Sequence, residues 1–417
     1  MSAQLWRGAL ALCGVLSACG APRSEPQAGG TSVLSGPCGR GLVVVESDYQ
    51  SSNVSLVDFA GNVLAPSIAS SSAENAGFGV ALSGDVVVPG SAVAGAELVL
   101  LDRYPAGVLR FVDVASGKVT SELSVATGFR ANPHDYLLIG PKKAYVTRYE
   151  SNPNAGAQPW DGGGDVLIVD PSVPSITGRI ELSSALAGEN ASFTPHPGRL
   201  LSVGKRVFAV LSAYDRTYMN SAVSRLVEVD AETDTLLSSL PLADLHGCDG
   251  LALSPDSREL AISCTGADLL DAPPSITSSG LALVDITGTP QITKTFAAAT
   301  FGNNAIGFAL DYSLPTRLVF GTLGYVTDAG SRSLDAILAL DTGSGAFTEV
   351  VRSASQPFTL GDVRCAPSCG ACFVADAERD GGSVLRFPLD AQGELGSFTA
   401  VRAETRVGLP PRYLGAF

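Results

Sequence analysis

Three histidines supply all the imidazole in this 417-residue chain, and they stand in similar local contexts. They occur as NPHD (His134), TPHP (His196) and LHGCDG (His246), each ahead of an apolar run that ends in a tight turn. Imidazole is the commonest side-chain ligand for zinc and copper, and a nearby carboxylate such as Asp135 or Asp249 would complete or orient the shell. The three lie seven, eight and nine residues before their turns. Because strand side chains alternate with period two, that stagger does not require all three to point the same way. The same residues suit acid–base work without metal. Arg412 and Asp362 occupy comparable positions near the C-terminus, and with His134 and His246 they would present both charges to a small anionic or carbonyl substrate. These residue types demand no cofactor, and zinc or copper is the class they could hold. No P-loop, dinucleotide fingerprint or G-x-S-x-G elbow stands in a convincing context. DGGGD (Asp161 to Asp165) lacks the ligand spacing of a calcium loop and reads as a turn.

The elements that must position these residues come from an internal repeat. A short apolar strand ending in Asp recurs as SLVD (Asp58), RFVD (Asp113), LIVD (Asp170), VEVD (Asp230), ALVD (Asp285), LALD (Asp341) and FPLD (Asp390). Each copy leads into a tight turn rich in Gly, Thr or Ser and then another strand. Each follows, across a longer loop, a strand such as LVVVES, KAYVTRY or ELAISC, itself preceded by a short turn such as SPDSRE. Four short antiparallel strands per unit make one blade, and seven units predict an all-β, seven-bladed β-propeller over residues 38–417. The first unit lacks one strand, while LPPRYLGAF (Leu409 to Phe417) is left over at the other end. Pairing the two closes the ring and removes an exposed sheet edge.

LALSPDSRELAISC (Leu251 to Cys264) and KKAYVTRY (Lys142 to Tyr149) resemble the repeats of the YVTN and lactonase-like β-propellers. The resemblance implies the fold, and it implies function only weakly, because this scaffold carries binding proteins and hydrolases alike. PQQ-type repeats would show a Trp in each unit, whereas this chain has two Trp in all.

In such blades the first-to-second and third-to-fourth turns lie on one face of the disc, and here they read as uniformly short. The other face collects long loops at 150–165, 212–224, 265–280 and 324–335. Long loops on a rigid scaffold are where recognition usually resides.

Blade geometry also arranges the cysteines. Folding the hairpins about their turns places Cys365 opposite Cys372, and Cys248 within one residue of Cys264. Cys369 then faces the neighbouring blade where Cys38 begins the propeller, so a third bridge would join Cys38 to Cys369. The C-x3-C-x2-C spacing of Cys365, Cys369 and Cys372 is one that iron–sulfur enzymes use, but a cluster needs a reducing compartment and a different fold. CGACF also lacks the His of a c-type haem site.

That compartment follows from the N-terminus. Arg7 precedes an apolar run from Gly8 to Ala18, the length of a signal-peptide core and too short to span a bilayer. It closes on Leu16-Ser17-Ala18-Cys19, which resembles the bacterial lipobox. The resemblance implies a signal peptide over 1–18, acylation of Cys19 (palmitate included) and a membrane anchor, with Gly20 favouring the outer membrane. Residues 19–37 read as a flexible Pro, Gly and Ser-rich tether. A net charge of -14 with five Lys argues against nucleic acid. The expectation is thus a monomeric, lipid-anchored protein of the cell envelope. It would act without catalysis, binding a protein, peptide or glycan partner through its long-loop face. The alternative is a lactonase-like hydrolase at the mouth of the central channel.

Overall fold

The computed structural model describes residues 40–417 apart from 73–78, 94, 96, 268–270, 272 and 303. Seven four-stranded antiparallel sheets stand around a central axis. Their inner strands are Pro411–Ala416 (blade 1), Asp85–Val87 (blade 2), Pro133–Gly140 (blade 3), Pro197–Val203 (blade 4), Cys248–Leu253 (blade 5), Ala305–Leu314 (blade 6) and Leu360–Ala366 (blade 7). The ring closes as the leftover segment predicts: Pro411–Ala416 pairs with Leu42–Ser47, with Leu42 opposite Ala416 and Val45 opposite Tyr413. Beyond the pairing, the amides of Arg40 and Gly41 donate to the Phe417 carbonyl, so residues 40 and 417 stand together on the same face.

The repeated Asp has one structural task. In all seven copies its side chain accepts the backbone N–H two or three residues on, at 2.7 to 2.9 Å, from Ala60, Ser116, Ser172, Glu232, Thr287, Ser344 and Gln392. This Asx turn fixes the tight reversal between the third and fourth strands and explains why the repeat is visible in the sequence. Those backbone and hydroxyl donors also hold the carboxyls of Asp113, Asp170, Asp285 and Asp341 below the ordinary range.

The core lies between blades. Seven apolar clusters fill the seven blade-to-blade interfaces, one of them joining the two halves of the closure through Val44, Leu414, Phe373 and Val384. Second strands such as Leu42–Ser47 and Ala371–Asp376 are therefore buried on both sides, while outer strands such as Gln291–Ala297 alternate. Two bridges fall where the hairpin register puts them. Cys248 pairs with Cys264 directly opposite, at a Cα separation of 3.8 Å, and Cys365 with Cys372 at 4.0 Å. The expected partner of Cys369, Cys38, lies outside the described residues, as do Cys19, the signal segment and the tether.

The two faces are unequal as expected, with one correction. Blade 2 reverses the pattern: nine residues separate its inner and second strands, whereas Tyr104 and Val108 bound a short turn on the opposite face. Blade 6 adds a small hairpin, Tyr325–Val326 with Arg332–Ser333, to the long-loop face.

Candidate active site

Every blade interrupts its regular pairing near the long-loop face. The register between inner and second strands shifts at Val45/Glu46, Asp85/Val86, Pro133/Asp135, Pro197/Leu200, Cys248/Gly250, Ile306/Leu310 and Leu360/Val363. A bulge leaves residues without a cross-strand partner and re-aims their side chains. Around the ring from blade 1 to blade 7 these shifts free Arg412, Arg103, His134, Arg199, Asp249, Phe308 and Asp362 from regular pairing, and all seven line one cavity at the channel mouth. The cavity measures about 600 Å³, within the range of small-molecule sites.

Within this ring, His134 and Asp249 form a pair. The His134 Nδ1 lies 3.5 Å from Asp249 Oδ1, and the imidazole stacks on Tyr149 with centroids 4.1 Å apart. Burial alone would raise the Asp249 carboxyl, but His134, Arg199 and Arg103 outweigh it and hold the group below the ordinary range. Arg199 of the ring and Arg364 below it cross the channel from blades 4 and 7 and donate to the Val88 and Gly90 carbonyls of blade 2, at 3.1 and 3.0 Å. Their Nη2 atoms both stand 3.9 Å from Asp362 Oδ2, beyond hydrogen-bond reach. Two guanidinium edges, with the Asp362 carboxylate between them, therefore line the floor of the site with donor capacity to spare.

The predicted site residues divide accordingly. His134, Arg412 and Asp362 are brought together at the mouth, and Asp249 joins them. The other two histidines do not converge with His134, which corrects the three-histidine metal site. His196 is 1 % exposed, its Nε2 is 2.8 Å from Thr194 Oγ1, and burial pushes its pKa down to about 4. His246 Nδ1 is paired with Ser221 Oγ at 2.8 Å, away from the cavity lining. Both precede their strands rather than occupying the bulge, so neither is turned inward. Asp135 is no ligand either: fully buried, it accepts N–H groups from Gly90, Tyr136 and Leu200 and ties three blades together. Among the described residues no group of three or more His, Cys, Asp or Glu is disposed to hold a metal ion.

Arg103, Arg199, Arg364 and Tyr149 were not legible as site residues. Their inward aim depends on bulges and on reach across the channel, for which the sequence carries no local signal.

No protein-family model matches the sequence, and no curated protein matches it either. Solved structures do. The Pseudomonas aeruginosa periplasmic gluconolactonase superposes with a TM-score of 0.57 at 16% identity, over 90% of this chain and 98% of that one. A candidate 6-phosphogluconolactonase from Bacteroides fragilis gives 0.54 at 13% identity, over 90% and 97%. The Myceliophteria thermophila Cps50 (Swd1) propeller domain gives 0.52 at 14% identity, over 84% and 96%. The chain shares its fold with the lactonase and WD40-type propellers. At these identities the likeness carries the fold alone. Propellers matching over nine-tenths of this chain nevertheless include one named as a gluconolactonase, which weighs against the expectation of a non-enzymatic protein.

Proposed function

We propose that the chain is an exported hydrolase of cyclic esters working at the long-loop mouth of its channel. The observation that carries this reading is the His134–Asp249 pair on the bulge ring, opening into a cavity at the channel mouth beside two cross-channel arginines. With its proton on Nδ1 toward Asp249, His134 has Nε2 as the basic nitrogen. That nitrogen takes a proton from water as the water oxygen attacks the carbonyl carbon. The Arg199 and Arg364 edges stabilise the negative charge gathering on the carbonyl oxygen. The ring C–O bond then breaks, the leaving alkoxide recovers the proton from the imidazolium, and a hydroxy acid results. None of these steps asks for a metal or an organic cofactor.

The two hairpin disulfides support an oxidising compartment. In this reading the chain is monomeric and anchored through Cys19 to the outer membrane. Because the described chain starts on the short-turn face, the cavity mouth points away from the lipid.

The test is a titrimetric assay of the oxidised protein against a panel of lactones, beside the H134A and D249N variants. Turnover is expected to fall by about 10²- to 10⁴-fold in H134A without a change in melting temperature. Undiminished rates in H134A, or no lactone opened by the native protein, would dismiss the reading.

A further inference from the structure

The ring of bulge residues is chemically lopsided. Six blades offer a charged or imidazole side chain, whereas blade 6 offers Phe308, 49% exposed at the mouth. Around it the cavity wall is largely hydrocarbon: Leu251 from blade 5, Leu310, Leu323 and Ile337 from blade 6, and Leu360 from blade 7, while the Thr322 hydroxyl of blade 6 donates to the Ala336 carbonyl at 3.3 Å. Blade 6 also places Gly307, Ala309 and Gly321 on the lining, so no long side chain fills the space in front of that wall. The tyrosines on the far side do not restore polarity. The Tyr214 hydroxyl donates to the Gly266 carbonyl at 3.1 Å, and the Tyr218 hydroxyl to the Glu150 carboxylate.

A polyhydroxylated ring would lose its water against this surface and find few partners in return, at a cost of roughly 1–3 kcal/mol for each stranded hydroxyl. An alkyl chain loses nothing there and gains burial. The reacting end is served differently. The carboxylate produced by ring opening would lie against the guanidinium edges of Arg199 and Arg364, which have donors to spare beside Asp362.

We infer that the substrate body is hydrocarbon: the site takes lactones of alkyl hydroxy acids in preference to sugar lactones. This rests on the hydrolase reading for the reacting end, but the preference for an apolar body is a property of the cavity wall alone.

The experiment has a binding arm and a turnover arm. Calorimetric titration of the oxidised protein with octanoate and with gluconate compares two product-like acids that share the carboxylate and differ in the body. Octanoate is expected to bind at least about ten-fold more tightly, a preference diminished by Phe308→Ser and abolished by Ala309→Phe at unchanged melting temperature. Phe308 is half exposed, so its truncation keeps the test available should the Ala309 variant fail to fold. Equal or tighter binding of gluconate, or no binding of either acid, would overturn the inference. Turnover of δ-octalactone against glucono-δ-lactone, both six-membered rings, separates the two ideas. Faster opening of the sugar lactone refutes the hydrocarbon preference and leaves the hydrolase standing. Preferential octanoate binding with neither lactone opened does the reverse.

Discussion

His196 shows what a histidine does when it is placed beside a site rather than in it. Its backbone is left-handed, with φ at +49°, and its ring packs against Tyr149 and Tyr218 with centroids 4.7 and 5.2 Å away. Its Nδ1 has no hydrogen-bond partner among the described residues, so protonation in place would create a buried, poorly solvated cation. Burial, with a smaller push from His134, lowers its pKa to about 4. The unfolded chain therefore binds a proton at this residue between the ordinary pKa of 6.5 and 4 that the folded chain does not. Its contribution to stability is present above pH 6.5, is lost as pH falls toward 4, and amounts to about 3 kcal/mol. Asn tolerates the left-handed backbone and does not titrate. His196→Asn is accordingly expected to flatten the decline in denaturation free energy between pH 6.5 and 4 relative to the native chain. An identical decline in both proteins would rule out the assignment.

Individual loops are held by single carboxylates. Asp335 is 1 % exposed and accepts N–H groups from Gly324, Phe358, Thr359 and Leu360, joining the long loop of blade 6 to the lead-in of blade 7. Phe358, left-handed at φ +61° and 56% exposed, sits at the cavity rim because of these bonds. Replacing Asp335 by Ala strands several amides at once. The expected loss in denaturant unfolding is on the order of 3 kcal/mol, with faster amide exchange confined to 324 and 358–360. At this scale the sequence was legible where an element carries its own chemistry. The seven Asp residues announced the blades because each makes a local Asx turn, and the paired hairpin cysteines announced their register. The site was legible only in part. His134, Arg412 and Asp362 were found through their position ahead of inner strands, but a one-residue bulge decides which neighbour faces the channel. That is why His196 and His246 could not be told apart from His134 and why Arg199 was missed, whereas Arg364 is regularly paired with Phe373 and enters the site by reaching across the channel.

The whole molecule is a ring of seven interfaces, and its integrity depends on the seam in blade 1. Removing Pro411 to Phe417 would expose the edge of Leu42–Ser47 and strip Leu414 from the cluster it shares with Val44 and Phe373. Such a truncated chain is expected to lose its cooperative unfolding transition and to aggregate, as judged by calorimetry and light scattering. A truncated chain that melts like the native protein would show the seam to be dispensable. The same strand also delivers Arg412 and Tyr413 to the cavity. Strand Pro411–Ala416 therefore both locks the ring and finishes the pocket. A polypeptide without this strand would lack both, so its degradation and its absence of activity would share one structural cause.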